Sequence, residues 1–281
     1  MTIGPYAISV IETGDFRLDG GAMFGVVPKP LWNRACPADE LNRIAMTARC
    51  LLLESAERKI LIDCGIGDKD DEKFRDIYAV DFSRHTLAQS LAGRGLAPEQ
   101  ITDVIYTHLH FDHCGGSTRR DGKTVVPVFT QARHYVQRRQ WDQALARFDR
   151  DRASYMDANY VPVREAGLLE LLDGDIELFP GVEILLSNGH TPALQTIKIS
   201  DGTTTLWYPT DLIPMAAHIP LPYIMGYDLY PVTTLEDKKQ YLARAADEGW
   251  ILCFEHDPAQ LALRVRRDDK GRIVPGEAVS F

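Results

Sequence analysis

The chain is short of the features that mark a secreted disulfide scaffold, a membrane protein or a nucleic-acid binder. Its five cysteines, Cys36, Cys50, Cys64, Cys114 and Cys253, form an odd set with no Cys-x-x-Cys spacing, which excludes a disulfide framework. Cys114 reads as a small buried packing residue. No apolar run approaches the ~20 residues that a membrane-spanning helix needs, and Met1-Thr2-Ile3-Gly4-Pro5 lacks the basic and apolar regions of a secretory signal. A cytoplasmic protein without membrane contact is the expectation. Positive charge is scarce as well: 31 Lys and Arg stand against 40 Asp and Glu, a net charge of −9. That is the wrong sign for a partner bound by neutralising its phosphates. The densest basic group, Arg264, Arg266 and Arg267, runs straight into Asp268-Asp269-Lys270-Gly271 and reads as a solvated hairpin turn. A small-molecule substrate remains, with no nucleic acid.

Histidine is uncommon too, eight in 281 residues, yet three fall within six positions of Thr107-His108-Leu109-His110-Phe111-Asp112-His113. The preceding Ile101-Thr102-Asp103-Val104-Ile105-Tyr106 has the β-branched character of a strand, and Gly115-Gly116 allows a tight loop afterwards. On an extended strand end, alternating His108 and His110 project to one side and can reach one ion, with Asp112 and His113 facing a second. Burying three imidazoles and a carboxylate without a cation would leave several polar groups unsatisfied. The run therefore reads as a metal site.

These residues resemble the His-x-His-x-Asp-His signature of the metallo-β-lactamase fold hydrolases, and three later segments fit the same pattern in order. Ser187-Asn188-Gly189-His190-Thr191-Pro192 is similar to the family's Gly-His-Thr-Pro turn, Tyr208-Pro209-Thr210-Asp211 to the segment bearing a bridging aspartate, and Phe254-Glu255-His256-Asp257-Pro258 to the C-terminal histidine turn. The resemblance implies an α/β (α+β in some schemes) four-layer αβ/βα sandwich, a single domain over 1–281, with a dinuclear site at the edge of two sheets. It implies His108, His110 and His190 on one ion, Asp112, His113 and His256 on the other, and Asp211 bridging. The ions would be two divalent cations; the nitrogen-rich ligands favour Zn2+, while Fe, Mn and Co suit the same donors. The di-iron redox relatives carry glutamate where this chain has His110, which argues for hydrolysis. A metal-bridging hydroxide would then attack the substrate, with Asp112 also serving as catalytic acid/base.

A coarse pass along the chain alternates strands and helices. Tyr6 to Ile11, Ala48 to Leu53 and Lys59 to Ile62 look like early strands. Thr86 to Ala92 has helical spacing and stops at Gly93-Arg94-Gly95, and Val136 to Phe148 predicts a long amphipathic helix. Trp32, Phe82, Tyr155, Met156 and Tyr160 read mainly as core, with enough large apolar side chains for a pocket lid or a homodimer contact.

For the substrate, Asp19-Gly20-Gly21-Ala22-Met23-Phe24-Gly25-Val26-Val27-Pro28-Lys29-Pro30-Leu31-Trp32 resembles the N-terminal signature of YtnP-like quorum-quenching lactonases, which open N-acyl-homoserine lactones. Met23, Phe24 and Trp32 would form an apolar pocket wall for the acyl tail. Two departures stand out: Ala193-Leu194-Gln195 replaces the Gly-His that often follows Gly-His-Thr-Pro, and Leu212-Ile213-Pro214 replaces the segment in which relatives carry a carbonyl-binding tyrosine. Tyr223, Tyr227 and His218 are candidates to supply that donor. An arylesterase or phosphotriesterase of the same fold is the alternative activity, and a metal-free binding module the alternative of another class, against which seven intact ligand positions argue.

Overall fold

Parallel strand pairs and one antiparallel hairpin determine where the histidines end up. The computed structural model describes residues 1–146 and 148–281. The chain forms two compact units, Met1–Phe16 with Thr47–Asp173 and Arg17–Met46 with Gly174–Phe281.

The first unit is built on a mixed seven-stranded sheet. Its strands are β1 (Thr2–Ile3), β2 (Tyr6–Asp19), β3 (Arg43–Glu54), β4 (Lys59–Ile62), β5 (Asp103–Ile105), β8 (Arg133–Gln137) and β9 (Leu169–Leu172), hydrogen-bonded in that order. A separate hairpin of β6 (Thr118–Asp121) and β7 (Thr124–Pro127) lies between β5 and β8 in sequence. Strands β4 and β5 are parallel, with Ile60 opposite Asp103 and Ile62 opposite Ile105. Their C-terminal ends therefore lie side by side, the end of a parallel pair at which ligand sites gather. β5 is buried throughout and β4 from Ile60 to Ile62, as parallel strands covered on two faces must be. Helices Asp157–Glu165, Arg138–Ala146 and Leu87–Ala92 contribute Tyr160, Val163, Ala144 and Leu91 to the same apolar cluster as Leu61 and Val104.

The expected strands are present, although β2 and β3 extend beyond the predicted stretches. Thr86 caps the helix Leu87–Ala92 by accepting from the Gln89 amide, and Gly95 turns the chain at φ 72°. The long helix predicted over 136–148 is a correction. Val136 and Gln137 finish strand β8, and among the described residues of that range the helix is Arg138–Ala146, residue 147 lying outside them. Val136 is buried in the sheet next to β5 and β9, and that packing outweighs the helical spacing that continues behind it.

The second unit carries another mixed seven-stranded sheet, in sequential order: β10 (Ile176–Phe179), β11 (Val182–Ser187), β12 (Leu194–Ser200), β13 (Thr205–Tyr208), β14 (Ile251–Cys253), β15 (Ala262–Arg267) and β16 (Ile273–Val279). The single parallel pair is β13 with β14, Leu206 opposite Ile251 and Trp207 opposite Leu252. The eighteen-residue helix Pro231–Glu248 makes the crossover between them and buries Tyr241, Leu242 and Ala245 against Trp207, Leu252 and Leu263. Each large apolar side chain so buried contributes about 1.5–3 kcal/mol. Gly249, at φ 67°, ends that helix in the left-handed conformation that a helix C-terminus favours. The three arginines read as a solvated turn lie in β15 instead. The turn itself is Asp268–Gly271, where Asp268 accepts from Lys270 and Arg272, and Arg267 pairs with Asp247. Among the described residues no helix is long and apolar enough to cross a membrane, and all five cysteines are free thiols.

Candidate metal centre

In the first unit, strand β5 stops at Ile105 and the chain leaves the sheet to form the histidine run. His108 and His110 stand in the loop, not on a strand end as predicted, and Asp112 and His113 lie in the one-turn helix Phe111–Cys114. Asp63, directly after β4, organises the run. One of its oxygens accepts the Thr107 amide at 2.8 Å, the other the Thr107 hydroxyl at 2.6 Å and His113 Nδ1 at 3.1 Å. A histidine whose Nδ1–H is held by a carboxylate presents an unprotonated Nε2, the form a metal requires. Asp63 is fully buried at φ 59°, a conformation costly for a residue with a Cβ and common where a site imposes it.

The imidazoles of this run crowd together. The His108 ring is 4.4 Å from that of His110 and 3.9 Å from that of His113, and Asp112 is 3.8 Å from His113 Nε2. The crowding is possible because Cys64 donates to the His113 carbonyl and Gly116 to the Gly65 carbonyl. A side chain at Gly115 or Gly116 would run into the carbonyls of Ile66 or Cys64. Cys114 is buried, as expected, with Sγ 3.3 Å from the His110 carbonyl. Sequence reasoning missed an aromatic wall beside the run. Phe111 lies 5.1 Å from Phe74 and 4.6 Å from Tyr78, and burial together with Asp112 raises the Tyr78 hydroxyl pKa. The spacing of Phe74 and Tyr78, i and i+4 behind the Asp71 helix cap, was the available signal.

The second unit gathers the other three candidates from three turns. His190 stands in the turn joining β11 to β12, where Ser187 pairs with Leu194. Asn188 accepts the Ala193 amide across that turn, and Asp237 holds Ser187 and the Asn188 amide. Asp211 follows β13 and His256 follows β14, so the parallel register brings them to one end. The Asp211 carboxylate lies between two imidazoles, Oδ2 at 3.1 Å from His190 Nε2 and Oδ1 at 3.2 Å from His256 Nε2. Behind His190, Nδ1 bonds to Asp228 at 2.9 Å, and Asp228 accepts the Thr234 hydroxyl at 2.8 Å. Thr210 and Ala193, beside these ligands, sit at φ 49° and 59°, so this half too contains imposed backbone.

These arrangements fit metal ions. Burial alone would lower the His190 pKa, yet Asp211 and Asp228 outweigh it and push the group up to about 10. A proton there supplies the positive charge that these carboxylates require, and a cation competes for the same nitrogen. Both Asp63–His113 and Asp228–His190 are carboxylate–histidine pairs of the kind that orient metal ligands. Each unit thus supplies His and Asp side chains that belong to groups able to hold a metal ion.

The glycine-rich segment 19–32 differs from its expected part as an open pocket wall. Met23, Phe24 and Trp32 are 1 %, 0 % and 1 % exposed. Phe24 stacks on His218 at 4.6 Å and meets Tyr223 edge-on at 6.0 Å. Nor can His218 be the missing donor, because its Nε2 is occupied 2.8 Å from the Met23 carbonyl.

The sequence profile of the Metallo-beta-lactamase superfamily matches residues 45–256, a span that includes all seven candidate ligands. The chain belongs to this superfamily. It is a hydrolase of that fold, the αβ/βα class that the sequence implied. It is 30 % identical to a probable metal-dependent hydrolase from Staphylococcus aureus, with a TM-score of 0.89 over 100 % of both chains. It is 26 % identical over 223 residues to N-acyl homoserine lactonase AiiA of Bacillus thuringiensis subsp. kurstaki, covering 75 % of this chain and 81 % of that one. The dizinc quorum-quenching lactonase AidC shares the fold, with a TM-score of 0.80 and 21 % identity over 100 % of this chain and 97 % of its own.

Proposed function

We propose that the protein opens the lactone ring of N-acyl-homoserine lactones, with both ligand clusters contributing to one dinuclear centre in a single domain spanning 1–281. The observation that carries this reading is the Asp211 carboxylate held between His190 and His256, each of its oxygens directed at a different imidazole. A carboxylate so placed suits a bridging ligand. His108, His110 and His190 would hold one ion, Asp112, His113 and His256 the other. Zinc is the proposed metal, supported by the imidazole-rich set and by the dizinc lactonase of the same fold. Bound, the ions would supply Lewis acidity, polarising an ester carbonyl and lowering the pKa of water toward neutrality.

The chain's own residues divide the remaining work. Asp63 and Asp228 orient the ligand imidazoles and fix their tautomers. Asp112 is the proposed acid/base, receiving the proton from the attacking water and returning it to the ring oxygen that leaves as an alcohol. Phe74 and Tyr78, half-buried and packed on the buried Phe111 next to Asp112, offer an aromatic surface for an apolar acyl tail. Lactonases among the relatives support the substrate class.

Zinc-loaded protein should open N-acyl-homoserine lactones in a chelator-sensitive way, with kcat/KM rising with acyl length. Metal-replete protein that leaves these lactones untouched while cleaving aryl esters or phosphotriesters would move the activity to that neighbouring class.

A further inference from the structure

The first unit contains a cavity that neither the metal ligands nor the proposed acyl surface uses. Its volume is about 270 Å³, and helix Leu87–Ala92, the hairpin of β6 and β7 and the loop after β7 contribute to its lining. Phe82, Leu87, Leu91, Pro98, Pro127 and Val128 supply the apolar part of the wall. An apolar cavity of about 150 Å³ already takes a benzene-sized ligand, so on the same scale this one has room for a chain of roughly eight carbons. The wall is set by contacts that involve no ligand. Thr86 caps the helix, Leu91 is buried in the core cluster that holds Leu61 and Val104, and the Val128 amide donates to the Ser117 carbonyl at 2.8 Å. The Phe82 ring lies over Gly14, where the Cβ of any larger residue would be 2.9 Å from it.

The hydroxyls that line the cavity are engaged by the protein. Thr13 donates to the Ala48 carbonyl at 2.7 Å, Thr118 donates to the Ala158 carbonyl at 2.8 Å, and the Thr86 hydroxyl accepts the Gln89 amide at 3.1 Å. The lining therefore rewards burial of an apolar body. Charge is confined to three exposed residues, Asp68, Glu99 and Arg119, which place both signs at the solvent side. An anionic head would add a negative charge to two carboxylates, in a chain of net charge −9, and an exposed pair with Arg119 returns little. A cationic head would set its charge beside Arg119. An uncharged head meets neither penalty.

We propose that this cavity is a second ligand site, one that takes the alkyl chain of an uncharged amphiphile such as a medium-chain alcohol or amide. The chain packs against Leu87, Leu91 and Val128, and the head stays in water beside Asp68, Glu99 and Arg119. The site is independent of the lactonase reading and lies outside the metal ligand set. It is nonetheless next to the histidine run in the chain. Gly116, three residues after His113, lines the cavity and donates to the Gly65 carbonyl at 2.9 Å, so an occupant touches the backbone that shapes the run.

The test titrates butanol, hexanol and octanol into full-length, zinc-loaded protein labelled at its leucine and valine methyl groups. The methyl resonances of Leu87, Leu91 and Val128 should move together, with affinity rising about fourfold for each methylene added. Octanoate, of equal length, should bind about fivefold more weakly, the effect of one like charge about 4 Å away in water. Asp68→Asn combined with Glu99→Gln should narrow that gap. Ala88→Phe fills the cavity from an exposed helix position and Thr130→Trp from the loop after β7. Each, with far-UV circular dichroism unchanged, should abolish the shifts. Alcohols that leave these three methyl groups in place overturn the proposal, as does binding that survives both fillings or octanoate that binds as tightly as octanol. Lactone turnover is not part of the readout, so a failed lactonase reading and a failed second site give different results.

Discussion

The two ligand groups are assembled in opposite ways. In the first unit four candidates come from six consecutive residues, and their arrangement is largely local: one aspartate, Asp63, and close backbone approaches at Gly115 and Gly116 fold the run onto itself. In the second unit three candidates come from turns 21 and 45 residues apart in sequence, and only strand register joins them. The first group concentrates its information in a short stretch, whereas the second spreads it over the sheet. A local run tolerates changes elsewhere in its unit; a group made by register depends on every strand that sets it.

The largest expected effect is at the residue that unites the second group. Asp211→Ala should abolish metal retention at both ions and reduce kcat/KM by more than about a hundredfold, beyond the range set for residues that only support ligands. Metal analysis after gel filtration, with lactone turnover alongside, checks it. His108→Ala should by comparison release one ion, with nearly all turnover lost and the fold intact by circular dichroism. Two ions retained at full stoichiometry in Asp211→Ala would break the comparison.

Next come the supporting carboxylates, one in each unit. Asp63→Asn and Asp228→Asn should each weaken metal affinity about 10–100-fold, read by competition with a chromogenic chelator. Asp63→Asn should also lower the melting temperature, because the same carboxylate holds the Thr107 amide and hydroxyl. Asp228→Asn should act chiefly through His190, whose pKa should fall from about 10 once one of its two carboxylate neighbours is neutral.

A smaller effect concerns a histidine outside both groups. Burial pushes the His134 pKa from 6.5 down to about 4. The unfolded chain therefore binds a proton at higher pH than the folded one. Stability is at its full value above pH 6.5 and declines as pH falls toward 4, by roughly 3 kcal/mol for this residue. His134→Gln should flatten that part of the urea-denaturation profile, and an unchanged acid slope would remove His134 as its source. Smallest is Thr234→Val, which takes one hydroxyl from Asp228 and should cost about 1 kcal/mol, with a slight loss of metal affinity.

Much of the candidate site was legible because a metal demands particular side chains in particular order. The His108–His113 run could be read directly, and His190, Asp211 and His256 could be found as turns following apolar strands. The supporting residues could not be read that way. Asp63 and Asp228 are ordinary aspartates in the sequence, 50 and 38 residues from the histidines they bond, as are Thr107 and Thr234 among the threonines. Segment 19–32 was read as an open pocket wall, whereas its Met23, Phe24 and Trp32 are buried. An apolar loop suits an open pocket wall as well as it suits a buried clamp, and only the packing of Phe24 on His218 distinguishes the two. The helix predicted over 136–148 failed for a similar reason, since spacing is local and sheet burial is not.

By itself, then, the sequence determined the chemical class, because imidazole and carboxylate at these spacings have few uses other than holding cations, and it determined the fold through the family whose pattern those ligands follow. Tertiary structure alone decided which carboxylate orients which imidazole, that Asp211 lies between His190 and His256, and that His218 Nε2 bonds the Met23 carbonyl. The physical reason is that hydrogen-bond direction and burial depend on strand register and on contacts between distant segments, neither of which a run of letters contains.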